Sequence, residues 1–127
     1  MACSKVRRGF TLIEMLVVLA IVGLLLTLAA PRYFASLDKS RDVALEENLK
    51  VLRVTLDRFY ADRGRFPNSL QDLVDHKYLR AVPVDPASES DRTWVLVPPQ
   101  DPEQGGIADV KSGAPGQAHD GRSYDSL

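Results

Sequence analysis

The chain opens polar and basic, then turns apolar at one point. Phe10–Ala30 holds 21 residues interrupted by a single charged side chain, Glu14. As a helix rising about 1.5 Å per residue, this stretch reaches the roughly 30 Å of a bilayer's hydrocarbon core. After Pro31 the pattern changes from continuously apolar to periodic. Phe34, Leu37, Ala44, Leu45, Leu52, Leu56, Phe59 and Tyr60 recur at helical multiples and predict one apolar face. Glu46 precedes Lys50 by one turn, the favourable order for a surface ion pair. Gly64 supplies a stop. One helix is therefore predicted from about Phe10 to Asp62. Pro31 lies inside it, where a missing N–H and a clash with the preceding turn predict a kink or weak point; Gly23 is a second weak point.

The remainder is short-period and punctuated. Asn68 or Ser69 can cap a second helix, with Gln71 or Asp72 as the reciprocal partner and Leu70, Leu73 and Val74 facing the first helix. Val82-Pro83-Val84-Asp85-Pro86 reads as extended chain. Thr93–Val97 is a strand rich in β-formers, closed by Pro98-Pro99, and Ile107–Lys111 is a second, weaker strand. The last 16 residues, with Gly113, Pro115, Gly116 and Gly121, read as a loop. A module of this size buries only about 60–70% of its unfolded surface, so the strands need a cover. The long helix is the only element large enough. The predicted class is α+β: a long N-terminal helix packed on a small antiparallel sheet.

Charge divides the chain in the same places. Lys5, Arg7 and Arg8 precede the apolar segment with no acid among them, whereas from Arg32 onward there are 13 basic and 16 acidic residues. Basic residues flanking an apolar span stay cytoplasmic, which places the C-terminal module on the far side of the membrane. Three parts follow: a leader at 1–9, a membrane and assembly helix at 10–30, and a periplasmic module at 31–127. A secretory signal ending at Leu28-Ala29-Ala30 is the competing reading. Its apolar core would run to about 7–15 residues and would not carry Glu14. The net charge of −1 gives no basic surface for nucleic acid. The single cysteine, Cys3, lies in the leader, so the remainder has no disulfide. His76 and His119 are isolated, Ser123 with Asp120 and His119 lacks the spacing of a catalytic triad, and Trp94 reads as sheet core. No enzyme is predicted.

Glu14 needs a partner, because a carboxylate inside an apolar helix costs about 2.5–3.5 kcal/mol. No Lys or Arg lies between Phe10 and Ala30. A cut before Phe10 would create one, an α-amino group that is cationic near neutral pH. That amine can meet Glu14 within one helix or Glu14 of a neighbouring subunit.

Arg7-Arg8-Gly9-Phe10-Thr11-Leu12-Ile13-Glu14-Met15 resembles the processing signal of type IV pilins and type II secretion pseudopilins. The resemblance implies cleavage between Gly9 and Phe10 by a prepilin peptidase, N-methylation of Phe10, and a role for Glu14 in assembly. Tyr60-Ala61-Asp62-Arg63-Gly64-Arg65-Phe66-Pro67, with Tyr78-Leu79-Arg80 and Val82–Pro86, is similar to the major, G-type pseudopilin. That implies a pilin-like fold, a periplasmic filament of copies of this chain that promotes protein export, and as partners the peptidase, minor pseudopilins and an inner-membrane assembly platform. A pilin or minor pilin of an adhesion, motility or DNA-uptake pilus is the neighbouring alternative; a membrane-anchored periplasmic binding domain is the alternative of another class. G-type pseudopilins usually bind calcium after the second strand. Here Val110–Gly116 departs from that pattern, leaving Asp120 and Asp125 as candidate calcium ligands, few for an ion that takes six to eight oxygens.

Overall fold

The computed structural model describes residues 9–127; the leader residues Cys3, Lys5, Arg7 and Arg8 lie outside the described residues. The elements are α1 (Leu12–Arg63), α2 (Leu70–Asp75), β1 (Val95–Val97), β2 (Asp109–Lys111) and a 3-10 turn at Tyr124–Ser126. The chain divides into two compact units, one ending at Ser36 and one spanning Leu37–Leu127.

The first unit contains the apolar half of α1. Its side chains are exposed throughout, from Leu12 at 86% to Leu28 at 67%. Pro31 sits within the helix, which continues across it. One turn earlier, the Thr27 hydroxyl donates to the Leu24 carbonyl at 2.6 Å.

The second unit is built on the polar half of α1. Leu45, Leu49, Leu52, Leu56 and Phe59 alternate at spacings of four and three, which keeps them on one face. They form a core with Leu70 and Leu73 of α2 and with Trp94, Ile107 and Val110. The predicted apolar face holds at Leu45, Leu52, Leu56 and Phe59, while Ala44 and Tyr60, also predicted on it, are exposed. Phe34 and Leu37 are instead 63% and 44% exposed, because the buried stripe begins only at Asp42. Gly64 ends α1 as predicted. It takes φ +70°, and its N–H donates to the Tyr60 carbonyl at 2.8 Å, closing the last turn.

Ser69 caps α2, accepting from the Asp72 N–H at 3.2 Å, while the Asp72 carboxylate accepts from the Asn68 N–H at 2.9 Å. β1 and β2 pair antiparallel, with Leu96 opposite Val110. Both strands are shorter than predicted. Thr93 and Trp94 precede β1, and the Trp94 indole donates to the Pro83 carbonyl at 2.8 Å. The extended segment at Val82–Pro86 is fixed by buried Asp85, whose carboxylate accepts from the Ala87 N–H at 2.9 Å and the Ser112 hydroxyl at 2.5 Å. Arg53 holds β2 and the chain end to α1: it donates to Asp109 at 2.9 Å, the Val110 carbonyl at 3.1 Å and the Leu127 carbonyl at 2.7 Å.

Candidate assembly site

Gly9 and Phe10 precede α1 without regular structure, and both are exposed. A Cβ added at Gly9 would meet nothing within 4 Å. Phe10 is 84% exposed. The bond between them is thus accessible backbone beside an aromatic ring.

Glu14 lies three residues beyond Thr11, at the start of α1. The Glu14 Oε2 accepts from the Thr11 N–H at 3.0 Å, and the Thr11 hydroxyl accepts from the Glu14 N–H at 3.2 Å. This is a reciprocal capping box, satisfying two backbone donors that a helix start leaves unpaired. The carboxylate also sits where the positive end of the helix dipole favours a negative charge. Sequence reasoning missed this role, although the Thr-x-x-Glu spacing before an apolar run is its signature. Beyond Glu14, the exposed face of the unit includes Leu16, Leu19, Leu24 and Leu25. Such an extended bare apolar surface marks a membrane or protein contact.

The candidate calcium ligands are placed otherwise engaged. Asp120 accepts from the Arg122 Nε at 2.7 Å and from the Arg122 N–H at 3.1 Å. These bonds hold its carboxyl below the ordinary value and push the Arg122 guanidinium up. Asp125 accepts from the Ser123 hydroxyl. Arg122 also reaches Glu46 at 2.6 Å, so Glu46 pairs with the C-terminal loop and not with Lys50 as predicted. Among the described residues, no three His, Cys, Asp or Glu side chains are grouped to hold a metal ion.

A second group, unmarked in the sequence, sits deeper. Asp42 is 1% exposed. Its Oδ2 accepts from the His119 N–H at 2.6 Å and lies 2.7 Å from the His119 Nδ1, and its Oδ1 accepts from the Tyr124 hydroxyl at 3.1 Å. Burial pushes the carboxyl up, but the bonds from His119 and Tyr124 outweigh it and hold it below the ordinary value. Burial, and then the neighbouring Asp42, push the Tyr124 phenol up.

Residues 4–30 match the prokaryotic N-terminal methylation motif. The chain is 31% identical over 111 residues to the type II secretion system core protein G of Klebsiella michiganensis, covering 87% of this chain and 78% of that protein. The chain belongs to the type II secretion core protein G family. Members of the family include that of Escherichia coli (strain K12), 27% identical over 131 residues and covering 91% of this chain and 86% of its own. The type IV major pilin protein PilA of Myxococcus xanthus is 32% identical over only 66 residues, 52% of this chain and 30% of the pilin. No solved structure matches the chain significantly. Membership in this family agrees with the long helix and two-stranded sheet, and favours the secretion subunit over the pilus subunit.

Proposed function

We propose that this chain is the repeating structural subunit of a type II secretion pseudopilus, and that a cut between Gly9 and Phe10 arms it for assembly. The observation that carries this reading is the first unit of α1: an exposed apolar surface of membrane length whose one acid, Glu14, stands at the helix start. In the precursor the segment anchors the chain in the inner membrane, with the basic leader cytoplasmic and residues 31–127 periplasmic. A prepilin peptidase removes the leader and methylates Phe10. The new amine is the cation that Glu14 lacks. An incoming subunit presents it to Glu14 of its neighbour, while the apolar surfaces exchange lipid for one another.

Pro31 removes one backbone hydrogen bond from the helix and makes that turn the cheapest place to bend as a subunit leaves the bilayer. Copies of this chain, minor pseudopilins and an inner-membrane assembly platform are its partners, and the filament promotes protein export. The role is structural, and the chain is a substrate of an enzyme rather than an enzyme. Mass spectrometry of the chain from its native membrane tests the reading. An N-methylated Phe10 terminus is expected; an intact leader, or a terminus near Pro31, would overturn it.

A further inference from the structure

The C-terminal loop follows β2, where the resemblance to G-type pseudopilins implied calcium. Its own acids are engaged by neighbours, Asp120 by Arg122 and one oxygen of Asp125 by the Ser123 hydroxyl. A calcium ion draws six to eight oxygens toward one centre, with their lone pairs free to face it. In this chain the acids around the loop already accept hydrogen bonds. Both oxygens of Asp120 accept from Arg122. Both oxygens of Asp42 are taken by His119 and Tyr124. Both oxygens of Asp85 are taken by Ala87 and Ser112. A cation would have to compete with these donors for each carboxylate.

The work a bound cation would do, joining the loop to the rest of the module, is divided among side chains. The Arg122 guanidinium stands between Asp120 in the loop and Glu46 on α1, at 2.7 and 2.6 Å. This fork of donors suits two carboxylates at once. His119 carries the loop onto Asp42 one turn of α1 earlier. Arg53 fastens the final residue. The turn itself is closed locally: the Ala118 N–H donates to the Arg122 carbonyl at 2.7 Å, and the Gly121 N–H to the Ala118 carbonyl at 3.0 Å.

We infer that the C-terminal loop of this chain, residues 112–127, is fixed to α1 by the chain's own side chains, with the Arg122 guanidinium bridging Asp120 and Glu46, and that the module is stable without calcium.

The full chain in detergent provides the test, with the fluorescence of Trp94, the single tryptophan, reporting unfolding of the module core. The melting midpoint is expected to coincide in millimolar calcium and in EDTA. A folded-state site at roughly a hundredfold excess of calcium over its Kd would raise the midpoint by about 10–20 °C, and an EDTA-reversible rise of that kind would overturn the inference. Arg122→Ala is expected to lower the midpoint equally in both buffers, and Arg122→Lys to lower it less. An Arg122→Ala midpoint identical to that of the unaltered chain would overturn the assignment of the bridge to Arg122.

Discussion

Asp42 and His119 meet across 77 positions of sequence, the backbone N–H of His119 lying 2.6 Å from the Asp42 Oδ2. The contact joins the beginning of the buried stripe of α1 to the C-terminal loop. Because the same oxygen also faces the His119 ring and the other faces the Tyr124 hydroxyl, one carboxylate holds two positions of the loop.

Asp42→Ala leaves those donors without their acceptor in a site shielded from water. The expected loss is about 2–3 kcal/mol, since unpaired buried groups forfeit their solvation and a charge-assisted bond besides. Asp38, on the exposed surface of the same helix, is the control, and Asp38→Ala should stay within about 0.5 kcal/mol of the unaltered chain. Urea titrations of both variants, followed through Trp94, measure the difference.

The same carboxyl sets an acid limit. Its folded-state value is depressed, so the unfolded chain takes up the proton first as pH falls. The stability it contributes is complete above the ordinary carboxyl value of about 3.9 and is lost as pH drops from there through the folded-state value. Tyr124 acts at the other end. Its folded-state value is raised, so its contribution is complete below about pH 10 and lost as pH rises through the folded-state value. Melting midpoints recorded against pH should fall at both extremes. Asp42→Asn should flatten the acid limb and Tyr124→Phe the alkaline one; unchanged limbs in these variants would assign the titrations to other groups.

Local signals carried most of the architecture. Leu45, Leu52, Leu56 and Phe59 announce their face by spacing, Gly64 announces the helix end, and Ser69 announces the cap of α2. Glu14 is visible as an anomaly, a lone acid in an apolar run, yet its bond to the Thr11 N–H requires the Thr-x-x-Glu pattern to be seen as a cap. Asp42 and Asp85 were not legible. Each resembles any solvated acid in sequence, and only folding brings His119 or Ser112 to it. Glu46 shows the same limit: a helical neighbour, Lys50, was the nearest candidate, while the actual partner Arg122 arrives from 76 positions away. Strand length was overestimated for a related reason. Propensity extends Thr93–Val97 as one strand, but pairing with β2 covers only Val95–Val97, and Trp94 instead packs in the core.

Two glycines should respond differently to alanine. Gly64 needs the left-handed region, but a Cβ there meets nothing within 4 Å. Gly64→Ala should therefore cost only the conformational penalty of about 1–2 kcal/mol. At Gly113 an added Cβ would lie 2.0 Å from the Thr93 carbonyl oxygen, a backbone atom that cannot swing aside. Gly113→Ala must push apart the chain before β1 and the chain after β2. Its loss should exceed that of Gly64→Ala and should red-shift Trp94 emission in the native state, Trp94 being next to the displaced residue. Equal losses at the two sites, with unchanged emission, would contradict the close approach.

Glu14 caps α1 and, in the proposed assembly, also offers a charge to a neighbour, two tasks that a single truncation would confuse. Glu14→Gln separates them. The amide oxygen can still accept from the Thr11 N–H, so the reciprocal cap is retained, while the negative charge is gone. Glu14→Ala loses both, adding a capping loss of about 1 kcal/mol at the helix start. Both variants should still lose their leader, because the proposed cleavage point between Gly9 and Phe10 lies outside the helix and is exposed. If the charge drives assembly, both should be cleaved and neither should form filaments, since an uncompensated Phe10 amine would have to enter an apolar interface. Immunoblotting for the leader, with electron microscopy of sheared filaments from cells producing each variant, reads the two steps separately. Filaments from Glu14→Gln but not from Glu14→Ala would assign Glu14 to capping alone, and the pairing of Phe10 with Glu14 between subunits would have to be abandoned.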